Sequence, residues 1–454
     1  MDATRFKIYS LMVVKNEVDI IAASLVDACR WSDKIIVIDN GSTDGTWECI
    51  QQLATVHPQI IPWMQYNGPF HIGLRAKAFK AFRQEMRRGD WWNVRLDADE
   101  FYPGDVRAFL AKVPMCIRTV KKESTDYLLT REDIELHSFS GDFAQDRAFI
   151  THALPTPRRE RRFMRHSALL CWCERWRYPH PWGRVFQRAI PVDHYQYRSP
   201  EQMQKRFAVR QQAKAEGCGS FRHEQGREWQ DYLLTNKQWE EQHLLAHMED
   251  AFAHSNRVLY EGRNTLKIIG EDIVVKAFHS PRFPNNVIYG FLRASKAKRS
   301  YTNALLLGEL TPQPLAYKEQ RCRGMLRDSY YACRLSTLPL TWRIVARDPQ
   351  FKNREQIARG IGVFMAKMHK KGCFPLDFSG GNILVNEDGS QVQIVDLNRM
   401  RHFSSMGIRR SCRQVQRLHL SESDCRALSE AYAAARGFDT ELCYQLMNRF
   451  RIRI

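Results

Sequence analysis

The sequence lacks any run of about 18 apolar residues, so no membrane-spanning helix is expected. Its first residues, MDATRFKIYSLMVV, lack the charged n-region, apolar h-region and small-residue cleavage site of a signal peptide. Both absences point to a cytosolic chain. Twelve cysteines occur, none in a CxxC pair. That spacing suits neither a zinc ribbon nor a disulfide scaffold, and predicts reduced, mostly buried thiols. Eighteen prolines and 24 glycines in 454 residues are too few for long disordered tracts. No internal repeat stands out. RNP, zinc-finger and basic-zipper patterns are missing too, so no specific nucleic-acid partner is expected.

What is present is a folded, basic protein. Hydrophobic residues make up 44% and aromatics 11%, enough for two or three cores at this length. The formal charge of +19 predicts attraction to anions: nucleic acid, anionic lipid or phosphorylated substrates. Arginines alternate with aromatics most densely in PRRERRFMRHSALLCWCERWRYPHPWGRVFQR. Such a pattern suits enzymes that hold diphosphates at a membrane surface as well as nucleic-acid binders.

Strand and helix alternate along the first hundred residues. IYSLMVV reads as a buried strand broken by KNE, with a helix to about Arg30. KIIVIDN is a second strand, ended by GSTDGT, where Asp or Thr would cap the next helix. IIPWMQY is a third strand, GLRAKAFKAFRQEM a helix, and WWNVRLD a fourth strand. The βαβ spacing predicts a mostly parallel sheet, whose ligands sit outside the carboxyl ends of its strands. Asp39, Asp97, Asp99 and Glu100 fall at such ends. Carboxylates spaced one residue apart can neutralise a leaving diphosphate through a divalent metal.

The order LMVVKNE, IIVIDNGSTDGT, VRLDADE resembles the inverting glycosyltransferases of family 2, over roughly residues 6–236. The resemblance implies a GT-A fold. Carried over by position, Asp39 recognises the nucleotide, Asp97 is the ribose-side member of a DxD motif and Asp99 the metal ligand. Glu17 sits in the loop beside the nucleotide, and Arg75 or Lys77 faces the diphosphate. VDHYQYRSPEQMQKR resembles a segment that closes the site in part of the family, which offers His194 as a further metal ligand. Glu160 is the expected base that deprotonates the acceptor hydroxyl, with Glu174 and Asp142 as alternates.

A second constellation lies near the C-terminus. LDFSGGNILV followed by VQIVDLNRMR places Asp377, Asn382 and Asp396 at the spacing that phosphoryl transfer uses for a base and two metal ligands. This resembles the kinases that phosphorylate Kdo or heptose in lipopolysaccharide core, over roughly residues 256–403. By position, Lys276 in VVKAF contacts the ATP phosphates. The chain departs from that pattern. Pro375 stands where the catalytic-loop histidine would be, and the glycine-rich loop is reduced to Gly262. No acid occurs from Val287 to Gly308, so Lys276 lacks its usual partner; Glu309 comes at the end of that basic helix.

The sequence therefore predicts three parts: a GT-A glycosyltransferase domain over 1–236, a helical connector over 237–255, and a protein-kinase-like α+β domain over 256–454. The expected ligands are a nucleotide-sugar, Mn²⁺ or Mg²⁺, and ATP-Mg²⁺. The expected acceptor is a glycolipid or oligosaccharide of the cell envelope, met by a peripheral protein at the inner face of the cytoplasmic membrane. In the alternative, the kinase-like part is catalytically degenerate and binds the acceptor or a partner.

Overall fold

A computed structural model describes residues 6–215, 228–262, 264–279, 294–322 and 325–453. The start of the basic helix expected from Tyr289, and Arg263 of the reduced glycine loop, lie outside the described residues. The chain divides into two compact units, Met1–Ala246 and His247–Ile454. The expected connector consists of two helices. Asn236–Ala246 belongs to the first unit and Met248–His254 to the second.

The first unit is built on a nine-stranded sheet. Its strands are β1 (Ile8–Val14), β2 (Lys34–Asp39), β3 (Ile60–Gln65), β4 (Trp91–Leu96), β5 (Glu100–Phe101), β6 (Ile117–Leu128), β7 (His152–Arg165), β8 (Arg184–Val185) and β9 (Ile190–His194). The order is β3-β2-β1-β4-β7-β6-β9-β5, with β8 beside β6. β1 pairs in parallel with both β2 and β4, and β2 with β3. The long β6–β7 pair is antiparallel. The sheet is mostly parallel, as expected, and the near-continuous apolar runs of β1 and β2 follow from burial on both faces.

Alternation along β1 feeds two cores. Ile8, Met12 and Val14 pack with Ile21, Leu25 and Ala28 of the helix Ile21–Cys29. Tyr9 and Leu11 face the opposite way, toward Leu74, Ala78 and Phe79 of the helix Leu74–Phe82. The helix Thr46–Val56 is capped by Gly45, at φ +96°, rather than by the expected Asp or Thr side chain. Asp44 still accepts from the Thr46 N–H at 3.0 Å.

The second unit has a five-stranded antiparallel sheet of β10 (Val258–Tyr260), β11 (Thr265–Ile269), β12 (Ile273–Phe278), β13 (Pro314–Cys322) and β14 (Met325–Arg334). Its order is β10-β11-β12-β14-β13. A helical half follows, with helices Arg354–Lys370, Glu422–Arg436 and Thr440–Phe450. Ile357, Ile361, Met365 and Met368 recur on one face of the first of these and enter a core shared with Leu428 and Tyr432. The ten cysteines whose side chains are described are free, but only four are buried, and Cys116, Cys171 and Cys173 are exposed. The last two lie in a surface loop, so the expectation of mostly buried thiols does not hold.

Candidate functional site

Two loops at the carboxyl ends of β1 and β2 are latched together. Asp39 accepts from the Ser42 N–H at 3.0 Å and also binds the Ser42 hydroxyl. That hydroxyl accepts from the Asn16 N–H at 2.9 Å, and Asn16 in turn accepts from the Thr43 N–H at 2.8 Å. Asn16 has φ +53°, a conformation asparagine tolerates better than most residues. The Glu17 N–H donates to the Thr46 hydroxyl at 2.9 Å. The latch fixes where Glu17 leaves the strand.

Beyond the latch lies a cleft with two connected chambers, of about 530 and about 1130 Å³. Lys15, Glu17, Arg95, Asp97 and Arg206 line both. Asp99, Asp126, Glu160 and His194 line the smaller one. Arg75 lines the larger one. The structure therefore gathers Glu17, Arg75, Asp97, Asp99, Glu160 and His194 around one cleft. Two predicted donor-binding residues stand apart. Asp39 is fully buried, is bound to Ser42, and is not among the residues lining either chamber. Lys77 lies over the Tyr66 ring, 5.6 Å from its centroid, and lines neither chamber. Of the alternates to Glu160, Glu174 pairs with Lys80 at 3.6 Å and Asp142 caps the short helix Phe143–Asp146.

The acids of the cleft are held by arginines from distant parts of the chain. Asp97 faces Arg95 at 2.7 Å, Arg75 at 3.2 Å and Arg162 at 3.5 Å. Burial pushes Asp97 up, but those three cations outweigh it and hold its carboxyl at about 2. Arg162, wholly buried, also binds Glu100 at 2.6 Å and Glu160 at 3.2 Å. Lys122 pairs with Glu100. Glu160 also meets Arg177 at 3.1 Å. Its burial is likewise outweighed, by Arg162 and then Arg95, so it stays below the usual carboxylate range. Glu17 is shifted the other way. Burial raises it, although Arg198 lies 2.5 Å away and pulls it down.

Asp99 and His194 form a separate pair. The His194 Nε2 lies 3.4 Å from Asp99, while its Nδ1 meets Asp126 at 2.8 Å. Burial would lower His194, but Asp99 and Asp126 outweigh it and push the ring to about 10. Asp99 is correspondingly held far below the ordinary range. The ring is therefore protonated on both nitrogens, each facing a carboxylate, and would have to give up a proton before it could ligate a divalent cation beside Asp99. Among the described residues no group of three His, Cys, Asp or Glu side chains is poised for a metal.

In the second unit, Lys276 is tied to Asp396 at 2.7 Å, so it is not left loose by the missing helix acid. The helix Lys296–Leu307 contributes Asn303 instead, which donates to the Leu397 carbonyl at 2.7 Å and meets His402 at 3.1 Å. Asp396 adopts φ +62° and accepts from Asn398 at 2.7 Å. The Asn382 side chain donates to the Asp377 carbonyl at 3.0 Å, and the Asn382 carbonyl accepts from the Val395 N–H at 2.9 Å. The Asp377 carboxylate pairs with Arg417 at 2.6 Å. The three predicted acid and amide residues are neighbours, but no direct bond joins Asn382 to Asp396.

A cleft at the carboxyl ends of parallel strands, lined by acids and arginines, lies where α/β sheets place their ligands. Comparison with known proteins narrows that reading. Residues 10–113 match the model of Glycosyl transferase family 2, so the first unit carries a glycosyltransferase family 2 domain. An uncharacterized glycosyltransferase of Rickettsia prowazekii (strain Madrid E) is 33% identical over 96 residues, 21% of this chain and 28% of that protein's own length. A solved structure of WaaP in complex with acyl carrier protein is 14% identical, with a TM-score of 0.33, over 45% of this chain and 90% of that one. That score is too low to assign a fold. The matched region ends before β6, so Asp126, Glu160, Arg162, His194, Arg198 and Arg206 lie outside it.

Proposed function

We propose that the first unit is an inverting glycosyltransferase that moves a sugar from a nucleotide-sugar donor to a hydroxyl of a glycolipid or oligosaccharide. One observation carries this reading: Glu17, Asp97, Asp99, Glu160 and His194 line a single chamber beside the family 2 domain. The ionised Asp97, held in place by Arg75 and Arg95, would accept hydrogen bonds from the donor ribose. Asp39 acts through the loop latch, as a positioning residue for Glu17. Lys15 and Arg206 place positive charge where the diphosphate departs. Asp99 and His194 would hold Mn²⁺ or Mg²⁺, which supplies charge neutralisation for the leaving group. Glu160 takes the acceptor proton as the hydroxyl oxygen attacks the anomeric carbon opposite the leaving diphosphate, so the configuration inverts. Its arginines keep it ionised and lower its basicity, so their pairs must loosen as the acceptor binds for Glu160 to take that proton.

For the second unit the leading reading is an ATP-dependent sugar kinase acting on the same envelope glycan, lipopolysaccharide core or a related one. Lys276 would meet the phosphates, Asn382 and Asp396 would hold Mg²⁺, and Asp377 would face the attacking hydroxyl. The Arg417–Asp377 pair favours the alternative, a binding module that does not transfer phosphate. Phosphate transfer from ATP to core oligosaccharide, lost in Asp396→Ala, supports the kinase; no transfer by wild type with a competent acceptor supports the alternative.

The test of the first unit is a thermal-shift screen of UDP-, GDP-, ADP- and CMP-sugars with Mn²⁺, followed by transfer assays. At least one donor should stabilise the full chain, and Asp99→Asn should remove transfer. A screen in which none stabilises it, or an Asp99→Asn enzyme that turns over with chelator present, overturns the reading.

A further inference from the structure

We propose that the basic-aromatic segment joining β7 to β8, residues 166–183, docks the first unit on an anionic lipid bilayer beside the mouth of the larger chamber. Its inner side chains anchor it. Leu170 and Trp172 are buried in the core, the Trp172 ring N–H donates to the Trp176 carbonyl at 2.8 Å, and Cys171 and His180 exchange two backbone hydrogen bonds of 2.8 Å. Its outer side chains are held in solvent: Leu169 is 73% exposed, Trp176 44% and Trp182 41%. The rings of Trp176, His180 and Trp182 follow one another at centroid distances of 5.9 and 5.4 Å. A well-anchored loop that keeps large apolar groups in water marks a surface with a partner.

Charge selects the partner. From Ser167 to Ala189 the only acid is Glu174, against Arg175, Arg177, Arg184 and Arg188. Tryptophan with arginine is the composition that settles at the headgroup level of an anionic leaflet. The surface is also continuous with the cleft. A Cβ at Gly73 would come within 2.6 Å of the Glu174 Cβ, so the turn carrying Phe70 and Ile72, 60% and 37% exposed, lies beside the segment. Phe70, Ile72, Arg177 and Tyr178 line the larger chamber. Docked this way, a lipid-linked acceptor reaches the cleft without leaving the membrane surface. That delivery role rests on the glycosyltransferase reading, whereas the docking itself does not.

The experiment is sedimentation of the full chain with unilamellar vesicles of phosphatidylcholine, alone or with one third phosphatidylglycerol. Net positive charge alone favours anionic vesicles, so the deciding variants are uncharged. Leu169→Ser/Trp176→Ser should weaken binding to the anionic vesicles about tenfold. Val56→Ser/Leu136→Ser, at positions elsewhere in the unit at least about as exposed, should change it less than about twofold. Trp176 lends its carbonyl and not its ring to the anchor, and Leu169→Ser alone serves if the double variant melts early. Unchanged binding by the folded Leu169→Ser/Trp176→Ser variant overturns the proposal. So does equal wild-type binding to both vesicle types, or binding of single-stranded RNA that the variant loses while vesicle binding persists. The assay contains no donor or acceptor. Transfer to a water-soluble acceptor, expected to be unchanged in the variant, reports separately on the cleft.

Discussion

In the first unit Asp97, Glu100 and Glu160 converge on one buried guanidinium, that of Arg162. In the second unit Asp377 and Asp396 each pair with one cation, Arg417 and Lys276, and the Arg417 pair is half exposed. The difference separates a site built as an electrostatic network from one built of single pairs. In the network several cations share each buried acid, so the cleft and the core beneath it are one structure. In the exposed Arg417–Asp377 pair a partner can leave without stranding a charge, because water can replace it.

The largest effect should therefore come from Arg162→Met. It leaves buried carboxylates without their shared cation, and should destabilise the first unit by about 3–5 kcal/mol. Calorimetry or urea melts would show this. A loss below about 1 kcal/mol would erase the contrast between the units. Next is an acid sensitivity belonging to the second unit. Burial pushes His369 from 6.5 to about 4. The unfolded chain thus takes up the proton first. The stabilisation is whole above about pH 6.5 and fades as pH falls toward 4, for a total of about 3 kcal/mol. Hydrogen exchange at His369 and its partner Tyr432, compared with His369→Gln, should show this acid loss shrink in the variant. The smallest effect is expected for Arg417→Ala, below about 1 kcal/mol of stability. A larger loss would show that the Asp377 pair is as structural as the Arg162 network.

Much of the sheet was legible because buried parallel strands leave near-continuous apolar runs. IYSLMVV, KIIVID and WWNVRL are β1, β2 and β4, and their ends carry Glu17, Asp97 and Asp99. The charge network was not legible. Arg75, Arg95, Arg162 and Asp97 meet across 87 positions from Arg75 to Arg162, and a one-sequence reading cannot pair residues over such distances. The only signal was the alternation of RRERRF, which on a strand sends Glu160 and Arg162 to the same face. At Asp39 the sequence pattern and the hydrogen bonds point to different roles. Its position matches a nucleotide-binding aspartate, but the Ser42 N–H and hydroxyl, three residues on, claim its oxygens first. The tie of Lys276 to Asp396 was missed because the helix acid was expected to decide how firmly the lysine is held.

The central claim, that the first unit's cleft binds a nucleotide-sugar, is tested most directly by hydrogen exchange of the full chain with and without a nucleoside diphosphate and Mn²⁺. The account predicts slowed exchange at 13–18, 94–100 and 194–210, and no change there in Asp97→Asn. Protection absent from all three segments, with bound nucleotide demonstrated, would contradict it.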